Sequence, residues 1–357
     1  MNPYPPVVSA PAFAFAPPPE ERALRFEFTG NAKEYFRIWI VNTLLTIVTL
    51  GVYSAWAKVR TKQYFYRHTF VDGTSFEYLA DPYKVLKGRL IAALALGLLF
   101  ASQHYSVTLY VVVVVLFVLA TPWVLVKALA FNARNSAYRN LRFAFTGRTG
   151  EAFGLYLGML LLHVVSCGLA YPYVQWRMTS FVITRHLYGD LRLWWESKSG
   201  AYYVVYLVAL ALLLPVYVMV FVLIVTGSSD DGNPAAIQPM LPGLATLYLA
   251  IFAVTAYVRS RVANLAWGGI RLGPHWLTCH QRARELLLLY VVNFLAVVGS
   301  VGLLIPWARV RLARYRASCL TLHAVGPLIS EKLLDEEAEA LGEGLSDLGD
   351  FDIGIGV

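Results

Sequence analysis

The sequence predicts an all-α integral membrane protein of the multi-pass type, with short cytoplasmic β-strands and three internal repeats. Three observations lead there. Of 357 residues, 58% are hydrophobic and only 15% charged, at a mean hydropathy of +0.56, more apolar surface than a soluble chain of this size hides. One aromatic and basic segment recurs three times in fixed register. Lys and Arg gather on some connections and avoid others.

The recurring segment reads Gly51-Val-Tyr-Ser-Ala-Trp56-Ala-Lys58-Val-Arg60-Thr-Lys-Gln-Tyr64, and it returns from Gly168 to Phe181 and from Gly302 to Tyr315. Counting from each Gly, an aromatic stands at +5 and again at +13; Lys58, Gln175 or Arg309 stands at +7; Arg60, Arg177 or Arg311 stands at +9. Glu34, Glu151 and Glu285 each lie seventeen residues before their Gly. Shared register in otherwise unlike surroundings marks a triplicated unit.

Seven stretches follow in order. Residues 1–23 read as a disordered Pro/Ala-rich tail, without the basic start and apolar run of a secretory signal. Residues 24–83, 132–199 and 260–329 are the three repeat units, 84–131 and 200–259 are transmembrane helix pairs, and 330–357 form an acidic tail.

Within the first unit, Leu24 to Phe28 alternates like a strand and ends in Thr29-Gly30, a pattern that Arg142 to Gly147 repeats. The third unit keeps Arg271-Leu272-Gly273 but has about five extra residues before Glu285, so its strand is less defined. Asn31 and Glu34 suggest a capping box opening a helix to about Leu50. Gly51, Gly168 and Gly302, helped by Pro172 and Pro306, then break the helix. Asp72-Gly73 is a turn into Ser75 to Tyr78, and Tyr188-Gly189-Asp190 holds the similar place in the second unit.

The helix pairs are Leu86–Ser102 with Val107–Phe131, and Tyr202–Thr226 with Leu241–Val258. All but the first are long enough for ~30 Å of hydrocarbon, and the first manages if Lys87 and Arg89 snorkel.

Charge sets the expected orientation. The loop near His104 and the stretch from Leu207 to Val258 lack Lys and Arg, while every other connection is basic, which places both flanks of each repeat on the cytoplasmic side. A unit that starts and ends on one side must re-enter at its Gly. Against this, Glu34 to Arg60 would span ~39 Å as one straight helix, the length of a simple crossing. The tail from Ser330 carries nine acids against Lys332, a net of −8, so the rest of the chain is +16.

Phe26-Glu-Phe-Thr-Gly30, Tyr35-Phe36 and Thr49-Leu-Gly-Val-Tyr-Ser-Ala-Trp-Ala-Lys-Val-Arg60 closely resemble the YjgN-like family of bacterial inner-membrane proteins. Phe131 to Asn140, Arg271 to His275 and Arg282 to Arg314 carry the resemblance on, so that it covers about residues 24 to 325. It implies a multi-pass protein of the bacterial cytoplasmic membrane. It implies no reaction, because the family is described as a domain of unknown function.

The candidate polar centre is Glu34, Glu151 and Glu285 with Arg60, Arg177 and Arg311, since charges inside a bilayer tend to pair or line an aqueous path. Set around one axis they would pass a solute or small ion. The plainer alternative has each Glu supporting a helix start and each Arg anchored at headgroups. His163 reads as a packing residue with a proton relay as the alternative. Asn42 and Asn293, nine before their Gly, would bond between helices. His275, Cys279 and His280 lack a fourth ligand, so no metal site is assigned. No catalytic motif or cofactor fingerprint occurs. The expected partners are the bilayer and an anionic lipid or protein at the basic face, with no nucleic acid. A membrane scaffold or assembly factor using that face and the acidic tail is the second reading.

Overall fold

The computed structural model describes residues 21–228 and 240–326. Residues 1–20 of the Pro/Ala-rich start, residues 229–239 and the acidic tail lie outside the described residues, while Glu21, Arg22 and Ala23, expected in the disordered tail, open the first strand.

In chain order the elements are β1 (Glu21–Arg25), β2 (Glu27–Phe28), α1 (Ala32–Val48), α2 (Ser54–Arg67), β3 (Thr69–Val71), β4 (Thr74–Tyr78), α3 (Pro82–Tyr105), α4 (Val107–Arg134), β5 (Ser136–Tyr138), β6 (Leu141–Phe145), α5 (Thr149–Val165), α6 (Tyr171–Thr184), β7 (His186–Tyr188), β8 (Leu191–Trp195), α7 (Ser199–Ser228), α8 (Met240–Gly268), β9 (Ile270–Leu272), β10 (His275–Cys279), α9 (Ala283–Gly299), α10 (Ile305–Ser318) and β11 (Leu320–Val325). Helical hairpins and β-hairpins alternate throughout.

The strands form one antiparallel sheet in the order β1-β11-β10-β9-β8-β7-β6-β5-β4-β3-β2. Its two ends belong to one extended segment. β1 pairs with β11 from Glu21↔Val325 to Arg25↔Thr321, and β2 pairs with β3 at Glu27↔Phe70. Phe26 between them donates its N–H to the Leu320 carbonyl at 3.2 Å. The sheet therefore nearly closes into a barrel, which leaves few free strand edges.

Two-residue turns join β3 to β4, β5 to β6, β7 to β8 and β9 to β10. Asp72-Gly73 and Arg139-Asn140 have positive φ at both positions, the geometry that matches strand twist in a tight hairpin. Because neighbouring strands run in opposite directions, these four turns fall at one end of the barrel. All five helical hairpins leave from and return to the other end.

The barrel is filled. Val71, Tyr138, Leu141, Tyr188, Ile270, Leu277, Leu322 and Ala324 meet in one buried cluster, with Leu24, Phe26, Phe76, Phe143 and Trp195 packed against it. The Tyr138 hydroxyl donates to the Val71 carbonyl and the Tyr188 hydroxyl to the Tyr138 carbonyl, each at 2.9 Å, so the polar tips of these rings are satisfied inside the apolar core.

Above the rim the helices form a ring. α1 packs on α2, α2 on α3 and so on to α10, which packs back on α1. The hairpins α1–α2, α5–α6 and α9–α10 each pair a 17-residue helix with a 14-residue one, reaching ~25 Å. α3 with α4 and α7 with α8 have 24 to 30 residues per helix, or ~36–45 Å. Large apolar side chains such as Leu94, Leu116, Leu207 and Phe221 stand exposed on the outer faces of the long pairs.

The expectation of an all-α multi-pass protein is corrected by this architecture. An eleven-stranded sheet organises the chain, and among the described residues only three helices are long and apolar enough to cross a membrane, Pro82–Tyr105, Val107–Arg134 and Ser199–Leu223. Strands of two to six residues are too short for a period-two signal beside long apolar helices, and their partners lie as far away as Val325 from Glu21.

Candidate functional site: a cationic chamber in the helix ring

The short hairpins turn in one way. Gly51, Gly168 and Gly302 have φ of +93°, +87° and +88°, and Leu50, Cys167 and Val301 before them are also left-handed. Each Gly N–H donates to the carbonyl five residues back, at 2.7, 2.9 and 2.8 Å, the closing bond of a glycine C-cap. Thr49, Ser166 and Ser300, two before each Gly, accept from the N–H of Tyr53, Ala170 and Leu304 at 2.9, 3.0 and 3.0 Å. One hydroxyl thus covers a donor left free at the start of the second helix. Pro172 and Pro306 sit in the first turn of α6 and α10, where a missing N–H costs nothing.

Folding a chain at Gly brings positions equally far on either side together at the hairpin base. Glu34 meets His68 at 3.7 Å and Glu151 meets Arg185 at 2.9 Å, positions −17 and +17. Glu285 instead takes Arg282 at 3.3 Å. The three glutamates thus bond at the barrel rim. Arg60, Arg177 and Arg311, at +9, lie about two turns earlier in the second helix, toward the Gly turn and away from the rim. Arg60 covers the Tyr53 ring at 5.8 Å, Arg311 covers Trp307 at 5.2 Å, and Arg177 is exposed. Nor do the three hairpins surround a threefold axis. They take the first, third and fifth places in a ring of five, the first and fifth being neighbours.

Position +7 turns inward. Lys58 and Arg309 line one cavity of about 390 Å³ together with Lys62 of α2 and Arg89 of α3. Asn42, Thr43, Thr46, Ser54 and Thr61 supply the remaining polar wall, and among the described residues no Asp or Glu lines it. Arg89 donates to Ser54 Oγ, Lys62 donates to Asn132 Oδ1 at 2.6 Å, and Arg309 donates to the Tyr35 hydroxyl at 3.2 Å. Burial first, and the Lys58 charge second, pull the Lys62 ammonium down to about 8. Lys58 is lowered too, by burial and then by the Arg89 guanidinium. Asn42 is 4% exposed, and both its side-chain oxygen and nitrogen are buried without a hydrogen-bond partner among the described residues. Four cations and an unsatisfied amide around one space favour an anion.

The family described as "Bacterial protein of unknown function (DUF898)" matches residues 23–348. The chain belongs to that family. This DUF898 member is also similar to the "Inner membrane protein YjgN" of Salmonella typhimurium, 22% identical over 362 residues, covering 87% of this chain and 90% of that protein. Proteins of the same name from Escherichia coli K12 and O157:H7 are each 47% identical over 53 residues, 15% of this chain and 13% of theirs. No solved structure matches.

The other singled-out residues of the DUF898 chain have structural settings. His163 Nδ1 is buried without a partner, and its ring lies 6.0 Å from Tyr171. Asn293 donates to the Ala308 carbonyl at 3.3 Å. His275 is buried and its Nδ1 accepts from the Val325 N–H at 3.1 Å, tying β10 to β11. No group of three His, Cys, Asp or Glu able to hold a metal occurs among the described residues. Sequence reasoning passed over Lys62 and Arg89 as site residues, and over the hydroxyls at −2. The hydroxyls carried a signal, a Ser or Thr in all three copies, whereas Arg89 stands outside the repeat.

Proposed function

We propose that this protein sits in the inner membrane and binds a small anion in the cationic chamber, as a step in moving that anion into or across the bilayer. The location rests on the name its relatives carry and is supported by the three helices long and apolar enough to cross. On this reading α3, α4 and α7 cross, α8 brings the chain back beside α7, and the short hairpins, ~25 Å deep, stop within the ~30 Å hydrocarbon layer. The barrel then stands on the cytoplasmic side, where the Lys and Arg near its rim belong.

One observation carries the anion. Lys58, Lys62, Arg89 and Arg309 share a cavity that no carboxylate lines among the described residues. Like charges gathered in a partly dry space repel one another, and a bound anion offsets that cost. Because side chains fill the barrel, the route for a solute runs between helices and not along the barrel axis.

Calorimetric titration of the purified protein with sulfate and with inorganic phosphate tests the binding. Saturable binding is expected, weakened roughly tenfold by Arg89→Gln or Lys62→Gln, as for a lost hydrogen bond to a charged group, and unchanged by Arg60→Gln. No saturable heat with either anion, or equal binding in the Arg89 and Arg60 variants, would rule the chamber out. Uptake of the same anion into proteoliposomes then separates passage from binding alone.

A further inference from the structure

We infer a second site, which binds the acyl chain of a membrane amphiphile with an anionic head, in the larger cavity between α6, α7, α8 and α9. Its volume is about 880 Å³. Along α8 the lining residues begin at Ile251 and Val254, continue through Val258 and Val262, and end at Ala266 and Trp267. They recur every three or four residues, so one unbroken face of α8 forms the wall. From Ile251 to Trp267 that face measures ~24 Å. The cavity is a slot, and Leu213 and Tyr217 of α7 face the same space as Leu286 and Tyr290 of α9. A long space walled mainly by apolar side chains suits an extended hydrocarbon chain.

The polar groups indicate the head. Arg259 and Arg316 line the slot, no Asp or Glu does, and neither guanidinium enters an ion pair among the described residues. Arg316 lies in the last turn of α10, beside the barrel rim. The Tyr290 hydroxyl, on the same lining, is buried without a hydrogen-bond partner among the described residues. Two exposed arginines outside any ion pair among the described residues, with a buried hydroxyl on mainly apolar walls, match a carboxylate- or phosphate-headed lipid. Gln175, the +7 residue of the second short hairpin, lines this slot, whereas Lys58 and Arg309 line the anion chamber. The one inward register therefore serves two different ligands.

Photolabelling of the full-length protein in detergent tests the site. The probes are palmitic acid with a diazirine near the chain end, phosphatidylglycerol carrying the same chain, and diazirine hexadecanol as an uncharged control. Adducts on Val254, Val258, Val262 or Leu286 are expected from at least one anionic probe, and which probe labels identifies the lipid source. Labelling is expected to fall several-fold in Ala263→Trp, which fills the slot, and in Arg259→Gln with Arg316→Gln; hexadecanol is expected to label weakly. Adducts confined to the outward residues Leu207, Leu214 and Phe221, or undiminished labelling in a folded Ala263→Trp, overturn the site. If that variant does not fold, competition on the unaltered protein decides. Loss of the α8 adducts under excess unlabelled probe supports the site, and persistence overturns it.

Discussion

The Tyr64 hydroxyl, at the end of α2, accepts from the N–H of Asn31 and donates to its carbonyl, both at 2.8 Å, closing the first short hairpin across its base. Tyr315 does the same to Arg282 at 2.9 and 3.1 Å. The second hairpin has Phe181 in this place, so the ring alone fits there. Tyr64→Phe keeps the stacking on Tyr35 at 5.1 Å and loses two hydrogen bonds, and it is expected to destabilise by about 1–2 kcal/mol. Tyr64→Ala also empties a buried ring site and is expected to cost about 3–5 kcal/mol. Thermal unfolding in detergent reads both. Equal transitions for the Phe variant and the parent would show that the clasp carries no stability.

The glycine breaks allow a test by sign. A Cβ at Gly51 meets nothing within 4 Å, yet its φ is +93°, so Gly51→Ala is a purely backbone change and is expected to destabilise by roughly 1–2 kcal/mol. Gly97 in α3 also has open space and no positive φ. There Gly→Ala is expected to stabilise by about 0.5–1 kcal/mol through helix propensity. Melting temperatures moving in opposite directions check the pair.

Much of this was legible along the chain, and folding at one residue was the missing step. The break at Gly51, Gly168 and Gly302 and the strands at Leu24, Arg142 and Ser75 follow from turn chemistry and alternation. Pairing Glu34 with Arg60 came from counting forward through the repeat. Folding it back at Gly51 sets −17 against +17 and −9 against +7, which matches Glu34 to His68 and puts Asn42 and Lys58 on one cavity. The third strand was hidden because Gly273 is a hairpin turn at φ +57° and β10 follows it. The closure of the barrel had no local signal, since it depends on a strand at Glu21 finding one at Val325.

Leu141 reports on that closure. It is 1% exposed within the barrel cluster, so Leu141→Ala is expected to cost about 2–5 kcal/mol. Leu94 is 74% exposed on α3, and Leu94→Ala is expected to be near neutral in detergent, within about 0.5 kcal/mol. Similar losses at the two sites would mean that the barrel interior is not the core.

Lys62 gives the chamber a pH dependence with two opposite signs. Its ammonium titrates near 8 instead of 10.5, chiefly through burial. Below pH 8 it is charged in both folded and unfolded chains. Between 8 and 10.5 the unfolded chain holds a proton that the folded chain has released, so this residue makes stability rise with pH in that window. Anion binding must go the other way, because a neutral Lys62 attracts an anion less. Sulfate affinity is therefore expected to fall as pH rises through 8, while Lys62→Arg, whose guanidinium stays charged, holds its affinity to higher pH. Lys62→Met should lose both slopes. An affinity profile unchanged between Lys62→Met and the parent would separate Lys62 from the anion, even if the chamber binds one.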